Sequence, residues 1–211
     1  SIKTGAMQEL LKPKEGWEVK MLGEVTDIIR GGSPRPIEAY LTKDVDGINW
    51  IKIGDVGKAA KYIFSTEERI IPKGAAYSRT VKEGDFLLSN SMSFGRPYIL
   101  KTSGCVHDGW LVIQNYHGTF DTNFLYYLLG FETTLNQYKN LAAGSTVLNL
   151  NKEIVTKVSV SYPIIEEQTR IAQILSDMDN EIQKLETQLE KYKMMKQGMM
   201  QSLLTGKIRL V

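Results

Sequence analysis

Between Ile171 and Leu203, apolar or aromatic side chains recur at alternating steps of four and three: Ile171, Leu175, Met178, Ile182, Leu185, Leu189, Tyr192, Met199 and Leu203, with Lys196 in the one missing place. That alternation is the stripe carried by one face of a helix, and over nearly five heptads it predicts a coiled-coil seam. Pro163 suits the approach to a helix, Glu166 and Glu167 fall where a first turn favours carboxylates, and Gly206 marks the expected stop. A helix from about 165 to 204 would be roughly 60 Å long at about 1.5 Å per residue.

Between Trp17 and Tyr162 the pattern shortens. Apolar or β-branched runs around Val25–Ile29, Ile48–Ile53, Ala76–Val81, Phe86–Leu88, Tyr98–Leu100, Trp110–Ile113 and Val155–Val160 are punctuated by Gly, Pro, Asp and Asn, which predicts strands joined by turns. Asp121 is a good N-cap for one helix from Asn123 to about Leu141, with Phe124, Leu125, Leu128, Phe131, Leu135 and Tyr138 on its apolar face. The expected class is α+β: a mixed or antiparallel-sheet domain over residues 16–162, followed by a long coiled-coil helix and tail over 163–211. A short helical segment over 1–15 precedes them.

That first segment copies the last turns of the long helix. Lys3-Thr4-Gly5-Ala6-Met7-Gln8-Glu9-Leu10-Leu11 and Lys196-Gln197-Gly198-Met199-Met200-Gln201-Ser202-Leu203-Leu204 agree at six of nine positions without a gap. A globular segment framed this way looks like one module of a tandem array on a helical rod. The first segment is expected to pack beside the tip of such a rod, its own or a partner's.

A seam this long needs cover. Glu166, Glu167, Asp177, Asp179 and Glu181 outweigh Arg170 in the first part of the helix. In the second, Lys184, Lys191, Lys193, Lys196, Lys207 and Arg209 outweigh Glu186 and Glu190. An antiparallel copy would set acid against base, so an antiparallel homodimer is expected, with a helix folded onto its own globular domain as the alternative. Met194, Met195, Met199 and Met200 crowd the tip, either as adaptable contacts or as an ordinary coiled-coil end.

Composition narrows the classes. No run approaches the length of a membrane-spanning helix, and the N-terminus shows no apolar export signal, so a cytoplasmic protein is expected. Cys105 stands alone, which excludes an internal disulfide and a cysteine-cluster metal site. The net charge of +2 is small, and residues 16–160 hold 16 Lys and Arg against 15 Asp and Glu. Any nucleic-acid contact must come from a local patch or from a more basic partner.

Three polar loops are the candidates for such a patch: Arg30–Pro36, Ser89–Pro97 and Ala142–Asn149. Each mixes glycine with hydroxyl or amide side chains, and the first two add arginine. Ser, Asn and backbone N–H groups bond phosphates, and Arg can bond a guanine edge with two parallel hydrogen bonds. The candidate DNA-binding residues are Arg30, Ser33, Arg35, Asn90, Ser91, Ser93, Arg96, Ser145, Thr146 and Asn149, with Lys52 and Lys101 as phosphate holders. Arg96 is the first choice of base reader and Arg35 the second.

Further motifs run through the chain: Gly16-Trp17-Glu18-Val19-Lys20-Met21-Leu22-Gly23-Glu24-Val25, Ile29-Arg30-Gly31-Gly32-Ser33-Pro34, Gly84-Asp85-Phe86-Leu87-Leu88-Ser89, Gly95-Arg96 and Gly144-Ser145-Thr146. The most specific are Pro163-Ile164-Ile165-Glu166-Glu167-Gln168-Thr169-Arg170-Ile171-Ala172, with Leu175 and Asp179 beyond, and the end from Gln201 to Leu210. In these the chain resembles the specificity (S, HsdS) subunit of type I restriction–modification systems, over one target-recognition domain and one conserved helical region. The resemblance implies a non-catalytic subunit that reads one half of a split DNA target. Its helical spacer would set the gap between half-sites and dock methyltransferase (M) subunits, which carry S-adenosylmethionine and methylate adenine. A restriction (R) subunit using ATP and Mg can join them. The family's usual subunit has two recognition domains and two spacers, whereas this chain has one of each. A homodimer would restore the pair, and its two-fold symmetry would make the half-sites inverted repeats.

Signs of chemistry in the chain itself are few. It has no Asn/Asp-Pro-Pro-Tyr/Phe motif and no phosphate-binding loop of the G-x-x-x-x-G-K-[ST] type. His107 and Asp108 beside Cys105 are read as loop residues with satisfied hydrogen bonds, and His117 lacks a second histidine nearby for zinc. The competing reading is a coiled-coil adaptor whose globular domain binds another protein.

Overall fold

The structure, a computed structural model, describes residues 2–57, 60–90, 94–143 and 149–205. Helix α1 (Ile2–Leu10) leads into strand β1 (Glu18–Met21), the single turn α2 (Leu22–Val25) and β2 (Asp27–Arg30). Strands β3 (Leu41–Thr42), β4 (Ile48–Ile51), β5 (Tyr62–Ile63) and β6 (Glu68–Ile70) follow, then the turn α3 (Pro72–Ala75). Next come β7 (Arg79–Val81), β8 (Phe86–Ser89), β9 (Pro97–Leu100), β10 (Gly104–Val106) and β11 (Trp110–Gln114). Helices α4 (Thr122–Leu129), α5 (Glu132–Ala142) and α6 (Lys152–Thr156), strand β12 (Ser159–Tyr162) and the 40-residue α7 (Ile165–Leu204) complete the chain.

Two five-stranded mixed sheets stack under a layer of helices. The central sheet has the order β2-β11-β8-β9-β5 and the outer one β3-β6-β4-β10-β7. Side chains alternate across a strand, so the central sheet presents Ile28, Phe86, Leu88, Ile99, Leu111 and Ile113 to a core shared with Phe124, Leu128 and Leu175 of the helices. Its other face gives Leu87, Tyr98, Leu100, Trp110 and Val112 to a core shared with Ile51, Val81 and Val106 of the outer sheet. Cover on both faces is why β8 and β11 read as unbroken apolar runs rather than as alternating ones. The α+β class with a long C-terminal helix is as the sequence predicts.

Four predicted elements differ in detail. The single helix expected from Asn123 to Leu141 is two. Asp121 caps the first, its Oδ1 accepting from the N–H groups of Asn123 and Phe124 at 2.9 Å each. Gly130, a poor helix former, ends it, and the Leu128 carbonyl at the break accepts from the Phe131 N–H (3.3 Å) and the Thr134 hydroxyl (2.7 Å). The run Val25–Ile29 begins as the turn α2, where the Glu24 carboxylate accepts from the Met21 N–H at 2.7 Å. In Ala76–Val81 only Arg79–Val81 is strand. Val155–Val160 is divided between α6, capped by Asn151, and β12, which pairs with β1 to close the domain.

Helix α7 spans the range its periodicity predicts, but its seam serves two purposes. Ile171 and Leu175 are buried, and Met178 half-buried, in the chain's own core against α4. This corrects the expectation that all three face a partner, because the globular domain supplies its own apolar face there. Gln168 fixes the junction: its Oε1 accepts from Asp121 N–H at 3.0 Å, and its Nε2 donates to the carbonyls of Thr119 (2.9 Å) and Pro163 (2.8 Å). From Ile182 onward the seam is open, with Ile182, Leu185, Leu189, Tyr192, Met199 and Leu203 between 38 and 64% exposed. Helix α1 lies along the base of its own α7 and not at that helix's tip, which leaves a partner's tip as the other expected neighbour. Its Ala6, Met7 and Leu10 pack on the core, and Lys3 pairs with Asp179, which also accepts from the Tyr127 hydroxyl at 2.8 Å. The base of α7 is where the globular domain and α7 together offer α1 an apolar seat.

Candidate nucleic-acid interface

Strand register places the candidate loops. Arg30 lies opposite Leu111, Trp110 opposite Ser89, and Leu88 opposite Pro97. The end of β2, the start of β11, the end of β8 and the start of β9 therefore share one end of the central sheet. The Arg30–Pro36 loop, the His107–Gly109 turn and both flanks of the Ser89–Pro97 loop all emerge there. The third loop joins them through its flank, where Leu150 N–H donates to the Asn90 carbonyl at 2.8 Å. Asn149 is exposed beside that contact. Ser91, Ser93, Ser145 and Thr146 lie outside the described residues.

At the centre sits Asp108. Its Oδ1 accepts from the Ser33 hydroxyl at 3.2 Å, and its Oδ2 from Arg35 Nη2 at 3.0 Å. Its backbone carbonyl accepts from Arg30 Nε (3.4 Å) and Asn90 Nδ2 (3.3 Å), while its N–H donates to Ser33 Oγ (3.3 Å). His107 Nδ1 accepts from Gly109 N–H at 2.9 Å, which leaves the proton on Nε2, 3.0 Å from Asp108 Oδ1. Partial burial opposes ionisation of Asp108. The neighbouring His107, the Ser33 hydroxyl and the Arg35 guanidinium outweigh it and hold the carboxyl below the usual carboxylate range. Gly31 lets the loop come this close: a Cβ there would lie 2.1 Å from the His107 carbonyl oxygen.

Arg30 and Arg35 are exposed at this surface. Asn90 is only 7% exposed and spends its amide on Asp108, so it braces the loop rather than offering itself to a ligand. Lys52 opens onto the same side, in a cleft of about 590 Å³ lined by Ser33, Arg35, Trp50, Glu68 and His107. It is bound to Glu68 at 2.6 Å, and that hydrogen bond raises its pKa against the opposing effect of burial. Arg96 stands at the same sheet end but turns away, its guanidinium 5.5 Å from the Tyr98 ring centroid and beside Lys3 and Tyr126. Lys101 is at the opposite end of the sheet, where its N–H donates to the Ile63 carbonyl and its ammonium lies 3.4 Å from Glu83. It does not join the loop cluster.

Asp108 is a loop residue with satisfied hydrogen bonds, as the sequence predicts, but its place at the centre of the cluster was not foreseen, and Lys61 was passed over. A lone acid among polar loops carries no signal of its own, and only the contacts show it as a hub. Lys61 is half-buried, which lowers its pKa; it donates to Asn123 Oδ1 at 2.7 Å and sits 4.7 Å and 4.9 Å from the rings of Tyr126 and Tyr127. Cys105 is buried with Trp50 and Ile70 on the face of the outer sheet turned away from the central one, and burial raises its thiol pKa. Among the described residues, no group of three or more His, Cys, Asp or Glu is placed to hold a metal ion.

Residues 14–191 match the family model described as the type I restriction modification DNA specificity domain. The chain belongs to that family. It is 27% identical over 199 residues to the MjaVIII type I restriction enzyme specificity subunit of Methanocaldococcus jannaschii, covering 92% of this chain and 43% of that protein. The fold is that of the HsdS subunit from Thermoanaerobacter tengcongensis, at 22% identity and a TM-score of 0.69 over 88% of this chain and 44% of that one. A chain from a study of complex assembly and conformational transition in a type I R-M system aligns with a TM-score of 0.74 at 22% identity, over 93% and 48% of the two chains. The specificity-domain chain thus spans less than half the length of the curated relatives it matches. No helix among its described residues is long and apolar enough to cross a membrane.

Proposed function

We propose that the chain is a non-catalytic DNA-reading subunit of a type I restriction–modification enzyme, and that each copy reads one half of a bipartite target. The observation that carries this reading is the gathering of the Arg30–Pro36 and Ser89–Pro97 loops, with the flank of the third, at one sheet end in a chain of the DNA specificity family. Arg35 reads a base edge there, because its side chain is 80% exposed and held by Asp108 at one nitrogen. Arg30 and Lys52 flank it as phosphate contacts.

The open stretch of α7 supplies the second half of the reading. Some 22 residues beyond Ile182 extend roughly 35 Å at about 1.5 Å per residue, and their apolar stripe pairs antiparallel with a second copy. The other faces of that pair dock methyltransferase subunits, which bring S-adenosylmethionine and modify adenine, and a restriction subunit with ATP and Mg joins the assembly. In a mobility shift, the chain assembled with its methyltransferase subunit is expected to retain a preferred duplex over mixed-sequence competitor. Equal binding of all duplexes, or none, by the assembled complex would reject this reading in favour of a protein-binding adaptor.

A further inference from the structure

A carboxylate on a surface that approaches phosphate is repelled by it, so Asp108 needs a compensating role there. Its contacts supply one. A single residue holds four side chains from two separate segments: Arg30, Ser33 and Arg35 from the loop after β2, and Asn90 from the loop after β8. The Asp108 side chain is 28% exposed, whereas the Arg35 side chain that it grips is 80% exposed. A sheltered anchor therefore carries a projecting head. One Nη2 contact leaves the rest of the five-donor guanidinium fork to meet a base.

We infer that Asp108 is the positioning residue for sequence discrimination. It fixes the guanidinium of Arg35 before DNA arrives and offsets the cluster's attraction for phosphates of any sequence. An arginine that is already ordered loses less side-chain freedom on binding than one that waves in water, and an arginine committed to a carboxylate is less available to a random phosphate. Both effects favour the correct base over the mere presence of DNA. The inference rests on the DNA-reading function proposed above.

The test uses the full chain assembled with its methyltransferase subunit. The wild-type complex selects its preferred duplex from a random pool, and affinities for that duplex and a scrambled one are then measured across a salt series. For Asp108→Asn, the preference for the selected duplex is expected to fall about tenfold or more, the size of one good base contact. Binding to the scrambled duplex should hold or strengthen, with a steeper salt dependence as Arg35 turns to phosphate. Asp108→Glu should retain more preference than Asp108→Asn, and Asp108→Asn combined with Arg35→Ala should be no worse than Arg35→Ala alone. An unchanged preference, additive losses, or equal weakening on both duplexes with a lower melting temperature overturns the inference, the last marking a merely structural residue. Should Asp108→Asn not fold, Asp108→Glu carries the test: it keeps the charge but shifts the carboxylate that holds Arg35 Nη2, so a partial loss of preference with intact scrambled binding is expected, and unchanged preference overturns the role. A wild-type complex that enriches no sequence sinks the underlying function instead, and so the two failures are distinguishable.

Discussion

On the proposed function, sequence reading is concentrated on Arg35. Its guanidinium is anchored at one nitrogen by Asp108 and exposed elsewhere. Arg35→Ala is expected to cost about 1–3 kcal/mol on the preferred duplex and to relax the choice at one base pair, as read in competition mobility shifts against single-base variants. Equal loss on every duplex would show a phosphate contact instead. The polar character of the Arg30–Pro36 loop was legible in the sequence. The choice between Arg96 and Arg35 was not, because both arginines precede prolines in loops of similar composition, and only the fold turns one toward Tyr98 and the other outward. The need for glycine at position 31 was equally hidden, since the obstructing carbonyl belongs to His107, far along the chain.

At the scale of the element, α7 divides into an anchored base and a free shaft. Gln168 is buried with three hydrogen bonds to the α4 approach and to Pro163. Gln168→Leu strands an N–H and two carbonyls, and should lower stability by about 1–3 kcal/mol in urea unfolding. Leu175→Ala, in the chain's own core, should cost about 2–5 kcal/mol in the same assay. Leu185→Asp, on the open shaft, should leave that stability nearly unchanged but abolish pairing by burying an unpaired charge, visible as a halved mass in light scattering. If Leu185→Asp keeps the wild-type mass, the shaft does not pair through this stripe. The extent of α7 was legible because its period is local. Which body covers each position was not, since Ile171 and Leu185 look alike in the heptad pattern. The helix break at Gly130 likewise depends on tertiary packing, because the apolar face continues through it from Phe124 to Tyr138.

For the whole molecule, the copied termini and the opposed charges of α7 fit a pair of modules on one strut. The terminal copy was plain in the sequence. The seat of its first instance, at the base of α7 with Lys3 on Asp179, emerges only from packing. Paired antiparallel shafts would carry two reading surfaces related by a two-fold axis, and DNA bound across them must share that symmetry. Selection from a random duplex pool by the chain assembled with its methyltransferase subunit tests this most directly. The account predicts enrichment of two inverted half-sites separated by a fixed gap of indifferent sequence. One uninterrupted asymmetric motif, or no enrichment, would contradict it.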